Sequence, residues 1–528
     1  MICNSFFPKY TIKYIKNYYI LNKNITFCNN SSNYCSTYKG GFSLNIYNIL
    51  EKNIHVQLTI LKSCYESYQP LTMDKLSSLL HIDRRSLFNH CERLCSLSQN
   101  NLFKKDGSSY HFIGDNYDFH QLKLAILEDS LNFQILKAVC LHSNLTLYEF
   151  ATHYGISESF LRRQLAQVNH FFSYYNLKIK TRGGTIFFSG KETQIRYTIY
   201  LFLWEVYEGM EWPFLTLDFQ KILTTVKQVF TNIALKKNKI KTMEWCFILA
   251  VNINRFKQGY PVPEPELPHF LDPMLEGLSE VTTVLQPIIS VYGLPSSESN
   301  FILLWIQTRP HIYVNKNIMV HASKIHKKNA TPINEFRDQF YRYMKSVGIN
   351  TNEITSKKKL LDATLYANGI HDYLFSPFSG KKREVTDFIE KNYPYFYQNM
   401  VGWTQQMQKT HFPWIQLSTL IEAFLVIAPP TFFDKEIKVK LESDYPLSIE
   451  LLYVKVLQDQ LRLYLNVLFT NELLLNPDLI IRTTEAPTKI ISYEDEIPYI
   501  TIRNDLSASE NKYLVQKIKE MMYGDKQK

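Results

Sequence analysis

Residues 146–190, TLYEFATHYGISESFLRRQLAQVNHFFSYYNLKIKTRGGTIFFSG, leave a chain few ways to fold. Thr146 followed three residues later by Glu149 is a capping box, so a helix is expected from Leu147. Small Ala151 lets two helices cross closely, and Gly155, four residues on, supplies the positive φ of a tight turn. Ser157 then caps a second helix whose Phe160, Leu161, Leu165 and Val168 recur at helical spacing. Two strand-like runs, 177–180 and 185–188, flank Arg182-Gly183-Gly184 as a hairpin requires. Helix, turn, helix and hairpin make a winged helix-turn-helix. A helical hairpin packed inside the protein would share the first half of this pattern but not the attached wing.

The same order occurs upstream. An amphipathic helix over 53–68 carries Ile54, Leu58, Leu61 and Cys64 on one face. Thr72 caps a short helix over 73–80, His81-Ile82-Asp83 makes the turn, and a helix from Arg84 to about Ser96 bears Leu87, Cys91 and Leu94. LFKKDGSSYHF follows, two strand-like runs joined by Asp106-Gly107, a strong hairpin signal. His81 stands where Gly155 stands in the second copy, so the first match is the looser one. Two copies, near 44–115 and 116–190, are far less expected by chance than one.

The chemistry of such units lies on the exposed face of the second helix. In the second copy that face carries Glu158, Ser159, Arg162, Arg163 and Gln167. Arg162 and Arg163 suit phosphate or guanine, while Ser157, Ser159 and Gln167 suit positioning or base reading. Arg84, Arg85, Ser86 and Asn89 are the counterparts in the first copy, and Arg182 on the wing reaches a phosphate or an adjacent minor groove. Bulk charge adds little to this reading. Of the formal +10, residues 1–43 supply five Lys and no acid, whereas 44–190 hold 15 Lys/Arg against 12 Asp/Glu. The basic segment 1–43 is read either as a flexible arm or, preferably, as an upstream stretch included by a wrong choice of start codon.

Other classes find less support. Eight scattered Cys without a paired CxxC spacing suit reduced thiols in a cytoplasm. His90, Cys91 and Cys95 lack a second ligand pair, so no metal is expected, and no cofactor either. No Gly-rich phosphate loop or HExxH helix is present, so no catalytic residue is assigned and the chain is not read as an enzyme. Nor does any run of about 18 apolar residues exist to span a membrane.

Past residue 190 a long helix runs from the SGKETQIR passage to about Tyr207, followed by helical patterning to about 410. The Pro-rich stretch 260–273 is the clearest loop, and 291–299 is a junction between two helical bundles. After His411 strand-like runs (437–441, 463–469, 479–483, 499–502) alternate with helical ones over 447–461 and, capped by Ser507, over 510–522. That alternation predicts a small α/β domain with a parallel sheet.

From about residue 44 to its end the chain resembles the Mga-type regulators of Gram-positive bacteria, related to AtxA-like regulators. The resemblance rests on the tandem winged units, on SGKETQIR, on WEVYEGMEWPF (204–214) and on ILAVNINRFKQGYPV (248–262). The last is similar to the core helix of a phosphotransferase-system regulation domain (PRD). The fold class implied is multidomain and mainly α: an N-terminal extension (1–43), winged units at 44–115 and 116–190, PRD-like bundles at 191–290 and 291–410, and an enzyme-IIB-like α/β domain at 411–528. The resemblance further implies a transcription activator on double-stranded promoter DNA, with RNA polymerase as a partner. It implies a homodimer or larger assembly through the C-terminal half, and control of surface and virulence-type genes by carbohydrate supply.

Two departures bear on that control. A cysteine-type enzyme IIB carries Cys in the loop after its first strand; here that loop is Glu442-Ser443-Asp444-Tyr445-Pro446, and no Cys follows Cys246. A phosphocysteine relay is therefore excluded for this domain. PRDs are regulated at particular His residues, yet the only His in 191–290 is His269, in the Pro-rich loop. In the second bundle His311 or His371 would be the acceptor from a phosphotransferase-system phosphocarrier, chosen over His321 and His326. The alternatives are a PRD-containing RNA-binding antiterminator and a scaffold of the sugar phosphotransferase system that does not touch DNA.

Overall fold

The computed structural model describes residues 49–502 and 508–523, apart from short interruptions of which 270–278 and 486–496 are the longest. The segment 1–43, Ser507 and the far end of the Pro-rich loop lie outside the described residues. The chain is mainly helical with a small C-terminal sheet. The described residues divide into two compact units: those from 49 to 232 with 236–267 and 283–302 form one, and most of the remainder, from Leu303 on, forms the other.

The first unit begins with α1 (Lys52–Glu66), whose Ile54, Leu58, Leu61 and Cys64 are buried as the spacing predicts. β1 (Leu71–Thr72), α2 (Met73–Leu80), α3 (Arg84–Leu97), β2 (Phe103–Asp106) and β3 (Ser109–Phe112) follow. β3 is the centre of a three-stranded antiparallel sheet, pairing with both β1 and β2. Asp106 pairs with Ser109, so Gly107-Ser108 forms the hairpin turn and Asp106 belongs to the strand. The edge strand β1 escaped sequence reading because two residues carry no periodicity.

α4 (Asn116–Glu128) starts with a capping box from Asp115 and Asp118. α5 (Leu131–Leu141), α6 (Leu147–His153), α7 (Glu158–Phe172), β4 (Lys178–Arg182) and β5 (Thr185–Ser189) come next. α4 packs on α1 through the stacked rings of Phe119 and Tyr65, 4.4 Å apart. α5 is buried over Asn132–Leu136 and at Val139 and Cys140, and packs against α7. Gly183 and Gly184, both at positive φ, make the two-residue turn of the β4–β5 hairpin, and Arg182 closes the ladder against Thr185 rather than lying in the turn.

This unit continues through α8 (Glu192–Tyr207), α9 (Phe219–Asn232) and α10 (Lys239–Lys257). α10 is buried over nearly its whole second half, from Glu244 to Arg255. α11 (Ser279–Tyr292) and α12 (Ser296–Gln307) follow, and the division between the units falls within α12. Glu298 of α12 thus belongs with α8 and α10, although it lies within the junction read at 291–299.

The second unit holds α13 (Lys316–Lys328), α14 (Pro332–Ser346), α15 (Thr355–Leu374), α16 (Gly380–Asn392), α17 (Pro394–Thr410) and α18 (Leu417–Leu425). Leu420, Ile421, Ala423 and Phe424 of α18 sit in one core with Phe336, Phe340, Phe396 and Trp403. The helical bundle therefore extends past residue 411, because an apolar helix completes its core. A separate core forms around β6 (Ile437–Glu442), α19 (Leu447–Leu461), β7 (Val467–Phe469), β8 (Leu479–Arg482), β9 (Tyr499–Thr501) and α20 (Ala508–Tyr523). Its four described strands run parallel in the order β7-β6-β8-β9. Residues 463–466, read as strand, precede β7 as a turn, since the carbonyls of Gln460 and Leu461 still take the N–H groups of Leu463, Tyr464 and Leu465. Glu442 is the last residue of β6 and is paired with Arg482 at 2.9 Å, which leaves Ser443–Pro446 as the loop.

Candidate nucleic-acid interface

The second copy is assembled from local signals. The Thr146 hydroxyl accepts from the Glu149 N–H, and the Glu149 carboxylate accepts from the Thr146 N–H and hydroxyl. Those bonds hold the carboxyl of Glu149 below the usual carboxylate range. At the turn Gly155 has φ +62°, and the Ile156 N–H returns to the Ala151 carbonyl at 2.9 Å. Ser157 Oγ accepts from the Phe160 N–H at 3.2 Å, which starts α7. Leu161, Leu165, Val168, Phe171 and Phe172 are buried, while Phe160 is half-buried with the Arg163 guanidinium 5.4 Å from its ring.

The wing is fastened to this helix at two points. Asn169 donates to the Ile179 carbonyl (2.8 Å) and accepts from the Ile179 N–H (2.6 Å). Arg162 lies 3.4 Å from Thr181 Oγ1 and 3.7 Å from Glu158. A bridge between Thr146 and Thr185, with the Leu147 N–H on the Gly184 carbonyl, ties the wing to the start of α6. Because β4 alternates, Lys178, Lys180 and Arg182 share its exposed face. Sequence reasoning singled out only Arg182, although the KIKTR alternation carried the other two. Asn169 had no signal in the sequence, since an amide near the end of a helix reads as solvated.

Gln167 is exposed on α7 nearly three turns after Ser157, and Ser159 Oγ lies 3.0 Å from Ser157 Oγ. The structure therefore places Ser159, Arg162, Arg163 and Gln167 along one helix and Arg182 on the adjoining wing.

The first copy repeats the geometry. Thr72 Oγ1 accepts from the Lys75 N–H, His81 takes the left-handed turn position at φ +53°, and Asp83 accepts from the Ser86 N–H at 2.9 Å. Arg85 and Asn89 are exposed on α3, and Ser86 is half-buried under its first turn. Arg84 is ion-paired with Asp74 of α2. Leu87, Cys91 and Leu94 form the buried face. Burial pushes the thiols of Cys64 and Cys91 up to about 12, and a thiol held protonated is a poor metal ligand. Among the described residues no group of three or more His, Cys, Asp or Glu is placed to hold a metal ion.

Below the second copy lies a buried ionic network. Arg196, fully buried, bonds to Glu192 (3.0 Å), to Asn252 (3.0 Å), to both carboxylate oxygens of Glu298 and to the Tyr260 carbonyl (2.9 Å). Arg255 takes Glu192 bidentately at 2.9 and 2.7 Å, and Glu266 accepts from the N–H groups of Glu192 and Thr193 at the start of α8. α8 leaves the wing directly, so this network fixes the exit of the second copy on α10 and α12.

With this geometry in place, the comparison with known families is decisive for one segment. Residues 115–203 match the Mga helix-turn-helix domain. The match starts at the cap of α4 and ends inside α8, so it takes in the helix-turn-helix, its wing and Arg196. A domain of this kind suggests a DNA-binding transcriptional regulator, a non-enzymatic class. No curated protein matches the chain. The Mga match does not reach the first copy, which stands on its geometry alone. Among the described residues no helix is long and apolar enough to cross a membrane.

The two histidines considered for phosphorylation lie in the second unit. His311 is half-buried in the 3₁₀ turn Pro310–Val314. His371 is buried, with Nδ1 3.0 Å from Asp372, whose other oxygen accepts from the Gln416 N–H and the Thr419 hydroxyl. His326 is buried and stacked on Tyr366, and burial lowers its pKa to about 3.

Proposed function

We propose that the protein is a transcription activator of the Mga type that binds double-stranded promoter DNA through both winged copies. The observation that carries this reading is the second copy, where a capped helix with exposed Arg162 and Arg163 adjoins a wing with Lys178, Lys180 and Arg182 on one face. A helix presented this way enters the major groove by its N-terminal half, and the wing cations meet the phosphates beside it. Arg162 and Arg163 contact phosphate or guanine, Ser157 and Ser159 set the helix start, and Gln167 reads a base. Arg85, Ser86 and Asn89 take these roles in the first copy, joined by Arg84 once it leaves Asp74.

RNA polymerase is the partner of the bound activator, and self-association through the C-terminal half presents two sets of winged units to the DNA. The helical bundles are assigned as PRD-like and the parallel α/β fold as enzyme-IIB-like, in a cytoplasmic protein linked to the sugar phosphotransferase system. Phosphorylation at His311 or His371 by a phosphocarrier adds a charge of about −2 at a helix packing surface. Since neither imidazole is fully exposed, the transfer requires local opening of the bundle.

The test is binding of promoter fragments by the full chain at two salt concentrations, beside an Arg162→Ala/Arg163→Ala variant. Steep salt dependence in the wild type and a loss of about 1–3 kcal/mol per base contact in the variant is the expected result. Equal binding by both proteins removes the second copy as the reader, and no binding by the wild type removes the proposal.

A further inference from the structure

The caps Asp83 and Ser157 set α3 and α7 in register. Counting from them, Phe88 occupies the place that Arg162 holds in the second copy, and Asn89 the place of Arg163. The wings align in the same way from their two-residue turns, which puts Lys105 opposite Thr181. Both pairs are in contact: the Lys105 ammonium lies 4.9 Å from the Phe88 ring centroid, as Arg162 lies against Thr181. One copy thus has a cationic helix residue on a neutral wing residue. The other has an aromatic helix residue beneath a cationic wing residue.

Phe88 is 41% exposed between Arg84, Arg85 and Asn89, on the wing-side flank of α3, about 100° around the helix from the buried Leu87. Base edges in the major groove offer hydrogen-bond donors, acceptors and a single apolar group, the 5-methyl of thymine. We infer that Phe88 reads thymine by apolar contact with that methyl, while Lys105, beside it on the wing, takes the adjacent phosphate. The first copy then prefers thymine where the second, through Arg162, prefers guanine or contacts phosphate. This rests on the DNA-binding reading above and names the base class that the first copy selects.

The experiment uses the full chain and a duplex recovered by selection from a random double-stranded pool, made once with thymine and once with deoxyuridine in the half protected by the first copy. Wild type is expected to lose about fourfold in affinity per contacted methyl, the fold-change of about 0.8 kcal/mol for one buried carbon group. Phe88→Ala binds the two duplexes alike, and Phe88→Leu, which keeps an apolar tip, retains part of the difference. Lys105→Ala lowers the salt slope by about one without changing the thymine preference. Equal loss by wild type and Phe88→Ala, or no loss by wild type on a duplex that it binds, overturns the inference and leaves DNA binding standing. Failure of wild type to bind any duplex overturns both.

Discussion

In the second copy the left-handed turn position is Gly155, the wing is held by Asn169, and the exit helix is anchored by buried Arg196. In the first, the turn position is His81, and Cys95 stands at the register of Asn169. There the N–H of Phe103, the counterpart of Ile179, is taken by Ser98 Oγ at 2.8 Å. β1 adds a short third strand where the second copy has a single bridge at Thr146. The backbone demands are the same; the side chains that meet them differ. One geometry can therefore be held by unrelated chemistry, and a copy outside the Mga match can still be built to the same plan.

Breaking the anchor should separate the copies most. Arg196→Met leaves Glu298, itself fully buried, without its cation, and removing one partner of a buried pair costs about 3–5 kcal/mol. Hydrogen exchange should show lost protection in α8 and β5 but not in α3 or β2–β3; equal loss in both copies would show that they unfold as one body. Arg196→Met/Glu298→Leu should recover much of the loss.

Asn169→Ala strands an N–H and a carbonyl on Ile179 and should cost about 1–3 kcal/mol, seen as a lower melting temperature. Ser98→Ala in the first copy loses a single bond and should cost less, about 1 kcal/mol. At the turns the signs should oppose. Gly155→Ala places a side chain in the left-handed region and should destabilise by about 1–2 kcal/mol, whereas His81→Gly relieves that strain and should stabilise by up to about 1 kcal/mol. Identical signs in chemical denaturation would end the equivalence of the two turns.

The caps give the smallest difference. Thr146→Ala should cost about 1 kcal/mol. Glu149 has its pKa lowered in the fold, so its contribution is complete above the ordinary carboxylate pKa and is lost as pH falls through the folded value. The counterpart position in the first copy is Lys75, which cannot answer as a carboxylate does. Acid titration followed by exchange should therefore open the capping box at the start of α6, a loss with no counterpart at the Thr72 cap of α2, where acid acts only on the exposed Asp74–Arg84 pair.

Much of the candidate interface was legible because its signals are local. Thr146 and Glu149, Gly155, Ser157 and the Gly183-Gly184 turn act on backbone within a few residues, so neighbours in sequence are enough to place them. Arg162, Arg163 and Arg182 followed from helical and strand periods. Phe88 was missed because an aromatic at helical spacing reads as core, and only the burial of Leu87, Cys91 and Leu94 turns it outward. The reach of the bundle past residue 411 was missed because α18 lacks any local mark of which core it joins.

Caps, turns, helical faces and the parallel alternation of the C-terminal strands were thus determined by the sequence alone, since each depends on bonds a few residues long. Tertiary structure decided which distant groups meet: Arg196 with Glu298 across 102 residues, Glu192 with Arg255 across 63, and α18 with the core of the helices before it. A charge on a helix face carries no mark of its partner. Burial selects that partner, because an ion leaves water without a large penalty only where the crossing of helices delivers an opposite charge.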